Sequence, residues 1–119
     1  MEKVNLAEKL KLFDDCWNPK IVGELNNQHV KVVKMQGEFP WHRHDDEDEM
    51  FLVVEGRLTI RLRERDISLE AGEFFIVPRG IEHQPVAAET ACVMLFEPST
   101  TLNTGNVRDA KTVEHLERI

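Results

Sequence analysis

Residues 41–63 read WHRHDDEDEMFLVVEGRLTIRLR, and the second half of that stretch decides the fold class. After Gly56, Leu58, Ile60 and Leu62 alternate with Arg57, Thr59, Arg61 and Arg63, which is the period-two pattern of a strand with one buried and one wet face. Ahead of it, Met50 to Glu55 (MFLVVE) is apolar on both faces. Such a strand needs cover on both sides, from a second sheet layer or from a partner subunit. Two runs of this kind meeting at a glycine predict a hairpin.

The pattern continues outward. Asp66–Glu70, Phe74–Val77 and Ala91–Phe96 read as three more strands, divided by Ala71-Gly72 and by Pro78-Arg79-Gly80. Upstream, Ile21–Leu25 and Val30–Met35 flank Asn26-Asn27 as a second hairpin. Many short strands punctuated by Gly and Pro predict an antiparallel sandwich or barrel, with Phe74 and Ile76 among the residues filling it. Asn5 and Glu8 stand at the spacing of a capping box, and Leu6, Leu10 and Phe13 give a partial apolar stripe. That predicts a short helix over residues 6–13, ended by the turn-prone segment 14–19. After Pro98 the segment STTLNTGNV is polar and turn-rich, and irregular structure is expected there. Residues 109–119 read equally as a short helix or an extended arm. The expected organisation is one domain: an N-terminal helix and arm (1–19), a barrel (20–97) and a tail (98–119).

Composition narrows the function classes. The 119 residues carry a formal charge of −7, from 15 Lys plus Arg against 22 Asp plus Glu. An acidic chain without a basic run repels phosphate backbones, so no nucleic-acid partner is expected. No apolar stretch reaches the ~18 residues of a membrane span, and the first residues lack the apolar core of a signal peptide. Cys16 and Cys92 form no CxxC pair, which suits a reducing compartment; the expected location is the cytoplasm.

The chemistry lies in the first half of the opening stretch. On a strand, His42 and His44 at i and i+2 point to one face, so both imidazoles can meet one ion. A carboxylate and a third histidine from another strand would complete a mixed N/O site suited to Mn, Fe, Co, Ni, Cu or Zn. His83 is the natural third donor, because Pro78-Arg79-Gly80 forms a turn that can aim it. Taken alone, a His-x-His pair is often two surface side chains, and an acidic run such as DDEDE is more often a solvated loop. Together, two separated motifs change that balance.

Gly37, His42, His44, Glu49 and Gly56 form the first motif, and Gly72, Pro78, Gly80 and His83 form the second. In both, the chain resembles the cupin family, and in particular its small single-domain members. The motifs cover about residues 37–83, and the flanking strands extend the resemblance over roughly residues 20–97. Two departures stand out: the gap between Gly37 and His42 is one residue shorter than usual, and Ala87 stands where an Asn often closes the second motif. The resemblance implies an all-β fold, an antiparallel double-stranded β-helix (jelly-roll) barrel. It implies that His42, His44, Glu49 and His83 hold one divalent metal ion, with Asp45, Asp46 and Glu47 as solvated neighbours.

Cupins with this ligand set include dioxygenases, oxalate-degrading enzymes, isomerases and proteins of no established reaction, so the fold does not choose the chemistry. The chain has no tyrosine. This argues against epimerases that use a Tyr acid and thiol dioxygenases that carry a Cys–Tyr crosslink. The expected function is a metal-dependent enzyme acting on a small polar metabolite by oxygen or isomerase chemistry. The alternatives are a non-catalytic metal- or small-molecule-binding or sensing module, and a structural dimer with a vestigial site. Arg79 is a weaker candidate for contacting an anionic substrate. Cys92, Met94 and Phe96 share one face of the last strand and are weaker candidates for lining a pocket, with core packing as the competing role. Trp41 is expected between sheets or at a subunit contact, and His29 and His115 on the surface. A homodimer is expected, because the doubly apolar strand and the tail need cover.

Overall fold

The computed structural model describes residues 1–119. One helix, α1 (Leu6–Leu10), precedes seven strands: β1 (Lys20–Leu25), β2 (Gln28–Glu38), β3 (Glu49–Glu55), β4 (Arg57–Leu62), β5 (Asp66–Glu70), β6 (Phe74–Val77) and β7 (His83–Pro98). Every strand pairing is antiparallel, and the strands wrap as a double-stranded β-helix. No helix is long and apolar enough to cross a membrane.

The expected β1–β2 hairpin forms, and Asn26 and Asn27 take φ of 49° and 67° at its turn. Asparagine tolerates this left-handed region, and such turns match the twist of the flanking strands. The second expected hairpin does not form. β3 pairs with β6 and β7, while β4 pairs with β5 and β7. Gly56 is instead a corner between the two layers, with φ +87°, where an added Cβ would lie 3.0 Å from the Thr90 carbonyl oxygen. Only glycine allows both that dihedral and that approach.

β7 is the spine. Its first half pairs with β4, and its second half lies between β2 and β3. It runs from His83 to Pro98, well beyond the expected Ala91–Phe96, because its polar middle (Ala88 to Thr90) is exposed and gives no apolar signal. The barrel interior takes alternate residues: Val33 and Met35 from β2, Phe51 and Val53 from β3, Leu58 and Ile60 from β4, and Val93 and Leu95 from β7, all buried. Each large apolar side chain buried in this way contributes roughly 1.5–3 kcal/mol.

Phe74 and Ile76 do not fill the barrel; they are 58% and 49% exposed. On β6 it is Val77 that is buried inward, with Phe75 packed against the same core, so the expectation was one residue out of register. A one-residue shift exchanges the two faces of a strand.

Helix α1 is shorter than expected. The Asn5 side chain accepts a hydrogen bond from the Glu8 amide, but the helix ends after Leu10. Phe13 instead lies against the ammonium groups of Lys20 and Lys34. The chain end forms no helix. Arg118 bridges Ile21, and Ile119 donates to the Ile21 carbonyl, so the last residues cover the open edge of β1.

Candidate metal centre

Two backbone features bring the histidines together. His42 and His83 form an antiparallel bridge, with His42 N donating to His83 O (3.1 Å) and His83 N to His42 O (2.9 Å). The turn at 78–80 is tied to the other strand of the site: Gly80 N donates to the His44 carbonyl (2.8 Å), and Arg79 N donates to the Asp48 carboxylate (2.8 Å). The tail closes over the same loop. Arg43 N donates to Asn106 Oδ1, and Gly105 packs so tightly that a Cβ would sit 2.2 Å from the Arg43 carbonyl oxygen.

The four side chains His42, His44, Glu49 and His83 are all buried, and each offers a ligand atom within 4.8 Å of the others. His42 Nδ1 lies 2.8 Å from the Pro40 carbonyl, and His83 Nδ1 lies 2.9 Å from that of Ile81. A carbonyl only accepts, so each Nδ1 carries the hydrogen and each Nε2 keeps its lone pair. His44 Nε2 and His83 Nε2 stand 3.2 and 3.3 Å from Glu49 Oε1. All three atoms are buried without a hydrogen-bond partner. Partnerless buried donors and acceptors are costly. A cation held at ~2.0–2.2 Å from N and O donors would satisfy all three, and donors around such an ion stand roughly 3–3.5 Å apart. The residues present fit a metal ion.

Electrostatics agree. Burial, then the neighbouring His83, pushes the His42 imidazole down from 6.5 to about 4, so the ring is neutral and able to bind. Burial works to raise the Glu49 carboxyl, but the adjoining Glu97 carboxyl and the His44 and His83 imidazoles outweigh it and hold Glu49 well below the usual carboxylate range. Glu97 is pushed well above its ordinary value by burial and by the charge of Glu49. The carboxyl that stays anionic is therefore the one facing the histidines.

A partly open pocket, about 330 Å³ when the solvent within it is counted, reaches His42 and Glu49. Trp17, Met35, Phe39, Phe51 and Leu95 form most of its remaining wall. Trp17 holds an unusual φ of 60°, fixed by its indole N–H on the Gln36 carbonyl (2.8 Å) and by stacking on Phe39 at 4.7 Å.

Other side chains near the site lie outside the cluster. Asp48 turns away from the cluster to the Arg79 amide. Arg79 is exposed, pairs with Asp48, and does not line the cavity. Cys92, Met94 and Phe96 do not line it either. Val93, Leu95 and Glu97 are the inward residues of β7, and alternation sends the three candidates to the outer face. His29 is buried rather than on the surface, with Nε2 3.2 Å from Glu24. Trp41 does not line the cavity: it is half-buried beneath the Arg63 guanidinium, 3.8 Å from its ring centre.

Sequence reasoning missed Trp17, Phe39, Lys31 and Glu97. Trp17 lies in a segment read only as a turn. Lys31 was readable: it shares a pleat face with Val33 and Met35, where a lysine is out of place.

The comparisons with known proteins agree with this fold. A model of the cupin domain family matches residues 29–97. Over 64 residues the chain is 34% identical to an uncharacterised Bacillus subtilis protein, YdbB, covering 53% of this chain and 57% of that one. Over 80 residues it is 30% identical to 3-hydroxyanthranilate 3,4-dioxygenase 2 of Aspergillus fumigatus, covering 62% and 42%. The match thus spans about half the length of these curated relatives. The solved structure of a cupin-2 domain containing protein from Shewanella frigidimarina is similar with a TM-score of 0.79 and 44% identity, covering 80% of this chain and 93% of that one.

Proposed function

Because this chain belongs to the cupin domain family, we propose that His42, His44, Glu49 and His83 hold one divalent metal ion, and that the protein is a metal-dependent enzyme converting a small molecule beside it. The observation that carries this reading is a set of three buried, partnerless ligand atoms in a cluster that a cavity reaches. When bound, an ion in this donor set supplies Lewis acidity or, if redox-active, dioxygen chemistry.

The chain's own residues narrow the reaction. Apart from His42 and Glu49, the cavity wall has no titratable side chain. An isomerase needs a group that carries a proton to or from its substrate, and such a group is missing from the wall. Asn103 also lines the cavity, but its amide is already engaged with Lys111 and Val113 of the tail. Oxygen chemistry is therefore favoured over isomerisation, and the similarity to a dioxygenase supports the same choice. The walls of Trp17, Phe39 and Phe51 exclude water and suit an apolar part of a substrate better than the polar metabolite expected from sequence.

The test is an oxygen-electrode assay on iron-, manganese- and nickel-loaded protein with small aromatic and aliphatic substrates. The expected result is uptake that stops on chelation and is absent in Glu49→Gln. Stoichiometric metal without turnover under any condition would favour a non-catalytic binding module instead.

The outer face also supports the homodimer. Ile76, Met50 and Phe96 form one row across β6, β3 and β7, and Phe74, Leu52 and Met94 form the next. Phe74 and Ile76 are exposed, and the other four are half-buried. Patches of this kind on a soluble protein mark interfaces, and a two-fold pairing of the same face on a second copy would cover this one.

A further inference from the structure

Lys31 and Glu97 are charged side chains inside the barrel that are not among the four ligands. Lys31 Nζ lies 2.5 Å from Glu97 Oε2, and the two side chains are only 2% and 1% exposed. The strand register explains their meeting. β2 and β7 pair His29 with Glu97 and Lys31 with Leu95, so Lys31 and Glu97 are inward diagonal neighbours. β3 and β7 pair Met50 with Phe96 and Phe51 with Leu95, which makes Glu49 and Glu97 the next facing residues. Their carboxyls are close enough for each to shift the other's protonation. Lys31, Glu97 and Glu49 therefore form a row across three strands, ending at the histidines.

Stability does not account for this row. Removing two charges from water costs more than their attraction reliably returns, and well-packed apolar side chains in their place are often as stable or more so. Glu97 Oε1 also has no donor partner in the fold. We infer that Lys31 and Glu97 are positioning residues for the metal site: Lys31 fixes one oxygen of Glu97, and the other abuts Glu49 and holds its carboxylate toward His44 and His83. Groups behind a metal ligand set its orientation, and losing them typically weakens metal binding about 10–100-fold.

The inference rests on the metal reading, and the test separates the two. Wild type, Glu97→Gln and the double variant Lys31→Met, Glu97→Met would be titrated with Co²⁺, following the visible absorption of the bound ion. Thermal midpoints of the metal-free proteins would be measured alongside. The double variant replaces the pair with apolar side chains of similar length, so it should fold. Its Co²⁺ affinity should be about 10–100-fold weaker, with a shifted spectrum. Glu97→Gln can still accept from Lys31 and donate to Glu49, so it should bind within about threefold of wild type. If the double variant matches wild type in affinity and spectrum, or if Glu97→Gln is as weak as the double variant, the positioning role is wrong. Failure of wild type itself to bind Co²⁺ would sink the metal reading, and this inference with it.

Discussion

His42 shows what burial does to a ligand before any ion arrives. Its imidazole is pushed down from 6.5 to about 4, by burial first and then by His83. In the unfolded chain the same group titrates near its ordinary value. As pH falls below about 6.5, the unfolded state takes up a proton that the folded state refuses, so stability drops until pH reaches about 4. For this group the loss totals roughly 3 kcal/mol in the metal-free protein. Denaturant unfolding of metal-free protein across that range should show the decline, and His42→Asn should lack this part of it; an identical slope in the variant refutes the assignment. Glu49 and Asp48 give a sharper contrast, because neighbouring side chains on a strand face opposite sides. Glu49→Gln keeps the shape but removes the anionic donor, so metal binding should be lost or strongly weakened. Asp48→Asn should retain metal, since Asp48 serves the Arg79 amide instead. Elemental analysis of the two purified variants decides it.

At the scale of the element, β3 tests the alternation that builds the barrel. Phe51 faces inward and is almost fully buried, while Leu52 faces out and is half-buried. Phe51→Ala should cost about 3–5 kcal/mol, and Leu52→Ala clearly less, as measured by urea denaturation; equal costs would mean the strand is flanked differently. Much of this was legible in the sequence. Glu49 stands at the start of an inward Glu49, Phe51, Val53 series, and the site residues sit on two motifs whose spacing is local. Strand partners were less legible. MFLVVE, Gly56 and RLTIRLR look like a hairpin because adjacent strands usually pair, yet Gly56 turns a corner against Thr90, far along the chain on β7, and no local pattern signals that contact. Phe74 and Ile76 were misplaced for a related reason: in the run Phe74-Phe75-Ile76-Val77 all four residues are apolar, so hydrophobicity cannot choose the inward face. Lys31 and Glu97 escaped notice because a charge on a strand ordinarily signals the wet side.

For the whole molecule, the apolar rows on β6, β3 and β7 make the strongest demand, because they lie outside the barrel and β6 is an edge strand. A homodimer formed through this face should be split by Phe74→Asp or Ile76→Asp, since a charge placed in an apolar interface loses its hydration without a partner. Analytical ultracentrifugation should give a dimer for wild type and a monomer for each variant. Both side chains are exposed within one chain, so the variants should still fold and bind metal. A wild-type monomer at all concentrations would remove the proposal.

The two tryptophans stand in opposite surroundings. Trp17 is enclosed in the cavity wall, while Trp41 is half-buried beneath Arg63. The molecule therefore carries its own pair of optical probes. Trp17 should emit at the blue end of the indole range and respond to whatever enters the cavity. Trp41 should emit further to the red and report on the surface loop. In a Trp41→Phe protein, the remaining fluorescence would come from the cavity wall alone, so occupancy could be followed without knowing the reaction or attaching a label.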